Sequence, residues 1–209
     1  MRYDLISAFV TLFVVVDPVG VAVVTGGLTH GLSAELRHSV AWRGVAIAAA
    51  ILIAFAFGGE WLLRALGITL PALRVAGGVL LFLLSIDMVF ARPSGIRNPT
   101  GPEQAEANQR NDIAVFPLAF PLLAGPGALT SVVLLMARAR DSTGIAVVIG
   151  ALVAVLALAM LALYFAGRVT GILGVTGANV VGRVSGVILA ALAAQFVLDG
   201  LGQGLPRLT

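Results

Sequence analysis

The stretch from residue 116 to residue 130 constrains the fold of this chain more than any other. It reads FPLAFPLLAGPGALT, with three prolines and two glycines inside a run, 113–137, that carries no charged residue. A run of this length can cross a bilayer, whose hydrocarbon core takes about 20 helical residues. Proline removes a backbone donor and clashes with the preceding helical turn. We therefore predict a broken membrane span whose freed backbone groups line an enclosed cavity, because such groups are costly to expose to lipid.

The overall composition is typical of an integral membrane protein. Of the 209 residues, 59% are hydrophobic and 11% are charged, and the mean hydropathy is +1.05. Cysteine is absent, which excludes a disulfide framework, a thiolate metal site and a cysteine nucleophile. All 13 basic residues are arginines, and they are scattered among apolar segments without forming a basic stripe. We therefore expect the lipid bilayer as a partner and no nucleic acid.

Five other apolar segments accompany the broken one. They cover residues 5–28, 39–66, 71–89, 145–167 and 179–198, and each is long enough to cross a membrane. The one long polar connection, residues 91–112, is typical of a surface loop. We predict an all-α integral membrane protein with six transmembrane helices, made of a first three-helix unit (1–90), the loop (91–112) and a second unit (113–209). The arginines divide almost evenly between the two sides of the membrane and so do not decide the orientation. The long loop favours an orientation in which residues 91–112 are cytoplasmic and both termini lie outside.

The two units resemble each other in sequence. LGIT at 66–69 is echoed by LGVT at 173–176, an offset of 107, and RVAG at 74–77 is echoed by RVSG at 183–186, an offset of 109. The same alignment places Asp17-Pro18 on Gly125-Pro126, an offset of 108. Three crossings per unit make the second copy enter from the opposite side. The pattern predicts two inverted repeats with broken helices 1 and 4, the arrangement of secondary transporters with a substrate site near the midplane.

The chemistry of such breaks follows from the backbone. A helix that restarts at Pro18 or Pro126 presents N–H groups without acceptors and the positive end of a helix dipole, equivalent to about half a charge. The half-helix before each break presents unpaired carbonyl groups, and Asp17 adds a carboxylate. One small volume can therefore hold both an anion and a cation, which fits a zwitterionic amino acid.

The candidate substrate-binding residues lie at the two breaks and on the third and sixth spans. Glycines let a ligand approach the backbone, and a threonine supplies a hydroxyl. The predicted set is Asp17, Pro18, Gly20, Gly125, Pro126, Gly127, Thr130, Asp87 and Gln195.

Several of these residues have a purely structural interpretation as well. Asp17 can cap the restarted half-helix, which is a role that aspartate fills well. Asp87 can be solvated at the membrane interface, and Gln195 can hydrogen-bond between helices, which contributes about 1 kcal/mol. Arg74 and Arg183, near helix starts, are expected to extend to the lipid headgroups.

Four segments carry a resemblance to a known family that covers almost the whole chain. They are DPVG at 17–20, FGGEWLLRALGITLPALRVAGGVLLFLLSIDM at 57–88, DIAVFPLAFPLLAGPGALT at 112–130 and RVSGVILAALAAQFVLDG at 183–200. The chain resembles the MarC family of six-span inner-membrane proteins, which includes the SnatA neutral amino acid transporter. The resemblance implies a multi-pass protein of a bacterial or archaeal cell membrane that transports glycine and alanine by alternating access.

A channel and an enzyme are the two other classes of function to compare with a transporter. A channel, or an exporter of ions or other small solutes, is the alternative, because broken helices also line pores. An enzyme is not expected, since the chain has no HExxH, GxSxG or cysteine nucleophile. We expect no cofactor and no bound metal, with a proton or a sodium ion as the possible coupling ion.

Overall fold

A computed structural model describes residues 5–90, 113–139 and 141–205. All regular secondary structure in these ranges is helical, as predicted. The helices are α1 (Leu5–Val16), α2 (Pro18–Leu28), α3 (Ala34–Ala65), α4 (Leu70–Phe90), α5 (Ala114–Leu123), α6 (Pro126–Arg138), α7 (Ser142–Tyr164) and α8 (Ala166–Gly204). The backbone of α8 is kinked at Gly174, which has a φ of 59°. The connecting loop predicted at 91–112 lies outside the described residues.

Five stretches of the described chain are long and apolar enough to cross a membrane. They are Leu5–Leu28, which joins α1 and α2, together with α3, α4, α7 and the Asn179–Gly204 part of α8. The pair α5 and α6 is apolar enough as well but bends by 54°, and it makes a sixth crossing if it is one span. The prediction of a multi-pass helical protein is therefore confirmed, with five or six candidate spans.

Helix α3 begins five residues before the predicted span and ends one residue before its predicted end, and both of its ends are capped. Ser33 Oγ accepts a hydrogen bond from Leu36 N at 3.3 Å, so the helix begins ahead of residue 39. At the other end Ile68 N donates to Leu63 O at 2.9 Å, and Gly67 adopts a φ of 69°. This is a Schellman cap, in which glycine takes the left-handed conformation without a steric penalty.

Helices α4 and α8 pack against each other in opposite directions. A Cβ built on Gly78 would lie beside Ala193 and Val197, one on Gly186 beside Met88, and one on Gly200 beside Pro71. Residue numbers therefore rise along α4 as they fall along α8. Glycines at three levels of this contact let the two helices approach closely.

The core lies where α1, α5, α6, α3 and α7 meet. Its fully buried large side chains include Leu12, Leu52, Leu118, Val132 and Leu152. The outer surface is also apolar, and it leaves Trp42, Trp61 and Phe57 more than 60% exposed. A soluble protein does not expose apolar surface on this scale, whereas a lipid-facing surface does.

Candidate functional site

Asp17 lies at the junction between α1 and α2. Its backbone adopts the left-handed conformation, with φ 48° and ψ 68°, which aspartate tolerates better than most residues. The side chain is 6% exposed, and its Oδ1 accepts a hydrogen bond from Gly20 N at 3.1 Å. Pro18 occupies the first position of α2, where its missing N–H removes no helical bond. Asp17 therefore caps α2, while α1 and α2 together retain the length of one span.

The chain changes direction between α5 and α6. Helix α5 forms wide turns in which Leu118 N donates to Ile113 O at 3.2 Å and Ala124 N to Ala119 O at 2.9 Å, five residues back. Pro117 and Pro121 follow cis peptide bonds and cannot donate, so ordinary α-helical bonding is interrupted through the whole segment. The irregular backbone thus begins well ahead of Pro126, where the sequence placed the break.

Gly125 and Gly127 are required by close packing at this bend. Gly125 has an extended backbone, and a Cβ on it would collide with the carbonyl oxygen of Pro121. A Cβ on Gly127 would collide with Leu81 Cδ2 and would lie 3.1 Å from Val15 Cγ1. These two glycines therefore bring α5, α6, α4 and α1 together at one point.

A cavity of about 40 Å³ lies against this bend. The chain around the bend forms one wall of the cavity, α4 forms another, and Val15 of α1 contributes the rest of the lining. Its lining residues are Val15, Leu80, Leu81, Leu84, Pro121, Leu122, Gly125, Pro126, Gly127 and Ala128. The volume is enough for water or a group of a few heavy atoms. The lining side chains are all apolar, so backbone groups supply the polarity there.

The structure brings some of the predicted site residues to this cavity and leaves others away from it. Gly125, Pro126 and Gly127 line it, whereas Asp17, Pro18 and Gly20 do not. Thr130 is buried against α4, where a Cβ on Gly77 would lie 2.6 Å from Thr130 Oγ1.

The two polar candidates on α4 and α8 also lie away from the lining. Asp87 is half-buried one turn beyond Leu84. Gln195 is exposed and donates from Nε2 to Asp199 Oδ1 at 2.6 Å, within α8. The structure therefore does not bring Gln195 to the cavity.

Three buried side chains with an unsatisfied polar atom in the described part of the chain were not assigned to the site from the sequence, namely Thr25, Arg74 and Ser131. Ser131 is fully buried, and its Oγ has no hydrogen-bond partner within the described ranges. The sequence signal for Ser131 was its position four residues after Gly127, which places both residues on one face of a helix. Arg74 is only 5% exposed, and its Nη1 likewise has no hydrogen-bond partner in the described part of the chain. Arg74 is thus buried by protein, contrary to the expectation that it extends to headgroups, whereas Arg183 is exposed.

Similarity to known proteins extends over nearly the whole chain. A family model described as MarC family integral membrane protein matches residues 3–205. A UPF0056 membrane protein of Methanocaldococcus jannaschii is 38% identical over 196 residues, which cover 94% of this chain and 95% of that protein. The UPF0056 membrane protein YvbG of Bacillus subtilis is 32% identical over 205 residues, covering 98% and 97%. No solved structure matches the chain significantly.

Proposed function

The chain belongs to the MarC family of integral membrane proteins, which occurs in bacteria and archaea, and we propose that it is a secondary transporter of small neutral amino acids such as glycine and alanine. The observation that carries the proposal is the cavity against the α5–α6 bend. Irregular backbone at membrane depth is tolerated where it is enclosed by protein or lines a polar cavity, and such places bind substrates in transporters.

The start of α6 offers a site for a carboxylate. Leu129 N donates to Gly125 O at 3.0 Å, so the N–H groups of Gly127 and Ala128 come before the first donor of the helix and have no acceptor in its backbone ladder. Both residues line the cavity. The helix dipole adds a positive potential equivalent to about half a charge. The carboxylate of an amino acid would be stabilised there, and its ammonium group would be directed away from α6, toward the carbonyl groups at the end of α5.

The packing pattern supports two inverted repeats as the framework of this transporter. Matching α1–α2 with α5–α6, α3 with α7 and α4 with α8 pairs most of the helix contacts: α1 packs on α7 as α5 packs on α3, and α2 packs on α8 as α6 packs on α4. Asp17 and Gly125 each precede a proline at the first position of a restarting helix. The opposite directions of α4 and α8 are those that inversion requires.

One pair of repeat-related arginines differs in burial between the two halves, a difference that the proposed alternating access can use. Arg74 is buried on α4, whereas its counterpart Arg183 is exposed on α8. In the proposed cycle the side of the molecule that holds Arg74 is closed in this conformation, and the cycle exchanges the two environments.

Uptake into proteoliposomes tests the proposed function. Purified protein is reconstituted, and uptake of labelled glycine and alanine is measured with no gradient, with a proton gradient and with a sodium gradient. We expect saturable uptake, stimulation by one of the gradients, and counterflow when the vesicles are preloaded with unlabelled substrate. Vesicles without protein are the control. Flux that does not saturate and shows no counterflow would instead identify a channel, and no flux of any neutral amino acid would contradict the proposal.

A further inference from the structure

Ser131 has a buried hydroxyl group that nothing in the described fold satisfies. The residue is 0% exposed, and Oγ has no hydrogen-bond partner among the described residues. Serine inside a helix commonly donates to a carbonyl three or four residues back. Ser85 does so on α4, donating to Phe82 O at 2.7 Å, and Thr29 donates to Thr25 O at 2.7 Å. Since an unsatisfied buried hydroxyl costs about 1 to 3 kcal/mol, its persistence at Ser131 points to a partner that is bound during function.

Helical geometry places Ser131 on the face of α6 that carries Gly127. Residues four apart lie on the same face of a helix, so Ser131 follows Gly127 on that face. The Cα–Cβ bond of a helical residue tilts toward the N-terminus, so the Ser131 side chain covers the turn that contains Gly127. Gly127 has no side chain and lines the cavity. On α6 itself no side chain of this face therefore lies between the Ser131 hydroxyl and the cavity, and the space over Gly127 is occupied by Leu81 of α4.

We propose that Ser131 is a substrate-binding residue, whose hydroxyl donates a hydrogen bond to the carboxylate of the bound amino acid. This inference rests on the proposed function and deepens it. The lining side chains are apolar, so the polar groups of α6 at this end of the cavity are the N–H groups of Gly127 and Ala128, and the Ser131 hydroxyl follows one helical turn further along the same face. All three are donors beside the positive end of α6. Three donors on the first turns of α6 match a carboxylate, which accepts several hydrogen bonds, and disfavour an ammonium group.

Substitution of Ser131 tests the assignment, with Ser85 as the matched control. Ser131→Ala removes one oxygen atom, and Ser85→Ala does the same to a serine that is 1% exposed and already satisfied. The measurements are the KM for labelled glycine and the inhibition constants of unlabelled alanine and of glycine amide, which lacks the carboxylate.

The expected outcome is selective for the carboxylate. Ser131→Ala should raise the KM for glycine about tenfold or more, which is the loss typical of a hydrogen bond to a charged group. It should leave the inhibition constant of glycine amide within about twofold, so the preference for the acid over the amide shrinks. Ser85→Ala should leave that preference unchanged. An unchanged preference in Ser131→Ala, with glycine uptake intact, would overturn the inference.

Stability and wild-type activity supply two further checks. Removal of an unsatisfied hydroxyl relieves its desolvation cost, so Ser131→Ala should unfold in detergent at the wild-type temperature or above it, whereas Ser85→Ala should unfold below it. A lower unfolding temperature for Ser131→Ala would mean that the hydroxyl is satisfied within the fold, which contradicts the inference. If wild-type vesicles take up no amino acid, the proposed function fails; if they do and Ser131→Ala matches them for acid and amide alike, the inference alone fails.

Discussion

Replacement of Asp17 separates a structural role from a role of its charge. In the structure Asp17 caps α2 through the 3.1 Å hydrogen bond from Gly20 N to Oδ1, and its backbone has a φ of 48°. The informative set is Asp17→Asn, Asp17→Gly and Asp17→Ala. Asparagine keeps a capping oxygen and tolerates positive φ, glycine keeps only the backbone freedom, and alanine keeps neither.

The expected losses of stability follow from the capping hydrogen bond and from the positive φ of Asp17. Loss of a capping side chain costs about 1 kcal/mol when alanine replaces it and a few tenths when glycine replaces it. Holding alanine in the left-handed region costs roughly 1 kcal/mol more. We therefore expect Asp17→Ala to lower the free energy of unfolding by about 2 kcal/mol, a factor of about 30 in the folding equilibrium. Asp17→Gly should lose less than half of that, and Asp17→Asn should remain close to wild type.

The assays are thermal unfolding in detergent and glycine uptake on the same preparations. If the carboxylate contacts the ammonium group or a coupling cation, Asp17→Asn should be stable and yet transport poorly. An Asp17→Asn variant as unstable as Asp17→Ala would refute the capping argument. Full uptake by a stable Asp17→Asn would restrict Asp17 to a structural role.

Two other positions give predictions that distinguish packing from backbone conformation. Gly127→Ala should reduce stability and uptake because its Cβ collides with Leu81, and Leu81→Ala should destabilise the Gly127→Ala chain less than it destabilises the wild type, with a coupling of at least about 0.5 kcal/mol between the two changes. Gly67 and Gly27 both have open space where a Cβ would stand, but only Gly67 has a positive φ, of 69°. Gly67→Ala should therefore lower the unfolding free energy by about 1 kcal/mol and Gly27→Ala raise it by a similar amount, as measured by thermal unfolding, with glycine uptake unchanged in both.

The spans could be predicted from the sequence because a bilayer imposes length and hydropathy on every crossing. Hydropathy carries no equally strong signal for helix ends, so the capped start of α3 at Ala34 and the helical stretch that begins at Ala166 and is interrupted at Gly174 were missed. The form of α5 was missed for a different reason. Pro117 and Pro121 lie four residues apart, and the wide-turn path that accommodates both depends on bonds to residues five back.

The part of the candidate site that depends on residue type alone could be predicted from the sequence. Proline and glycine in an apolar run forced an irregular backbone at Gly125–Gly127, and the cavity lies there. Side-chain direction was not predictable, because it depends on how each helix is rotated against its neighbours. Gln195 therefore lies on an exposed face of α8, while Ser131 and Arg74 are buried on faces that the sequence does not distinguish from any other.

The space over Gly127 connects the packing of α4 and α6 with the proposed transport cycle. The sequence suggests that glycine leaves space for a ligand, yet in this conformation Leu81 of α4 occupies the space where a Cβ would stand. The cavity of about 40 Å³ beside it is bounded by Leu80, Leu81 and Leu84 of the same helix. A ligand that reaches the N–H groups of α6 and the Ser131 hydroxyl must therefore displace these leucines, either by changing their rotamers or by moving α4 away from α6. Because α4 packs along α8, a shift of α4 would be transmitted to the helix that carries Arg183, which links binding at the bend to the change in exposure that alternating access requires.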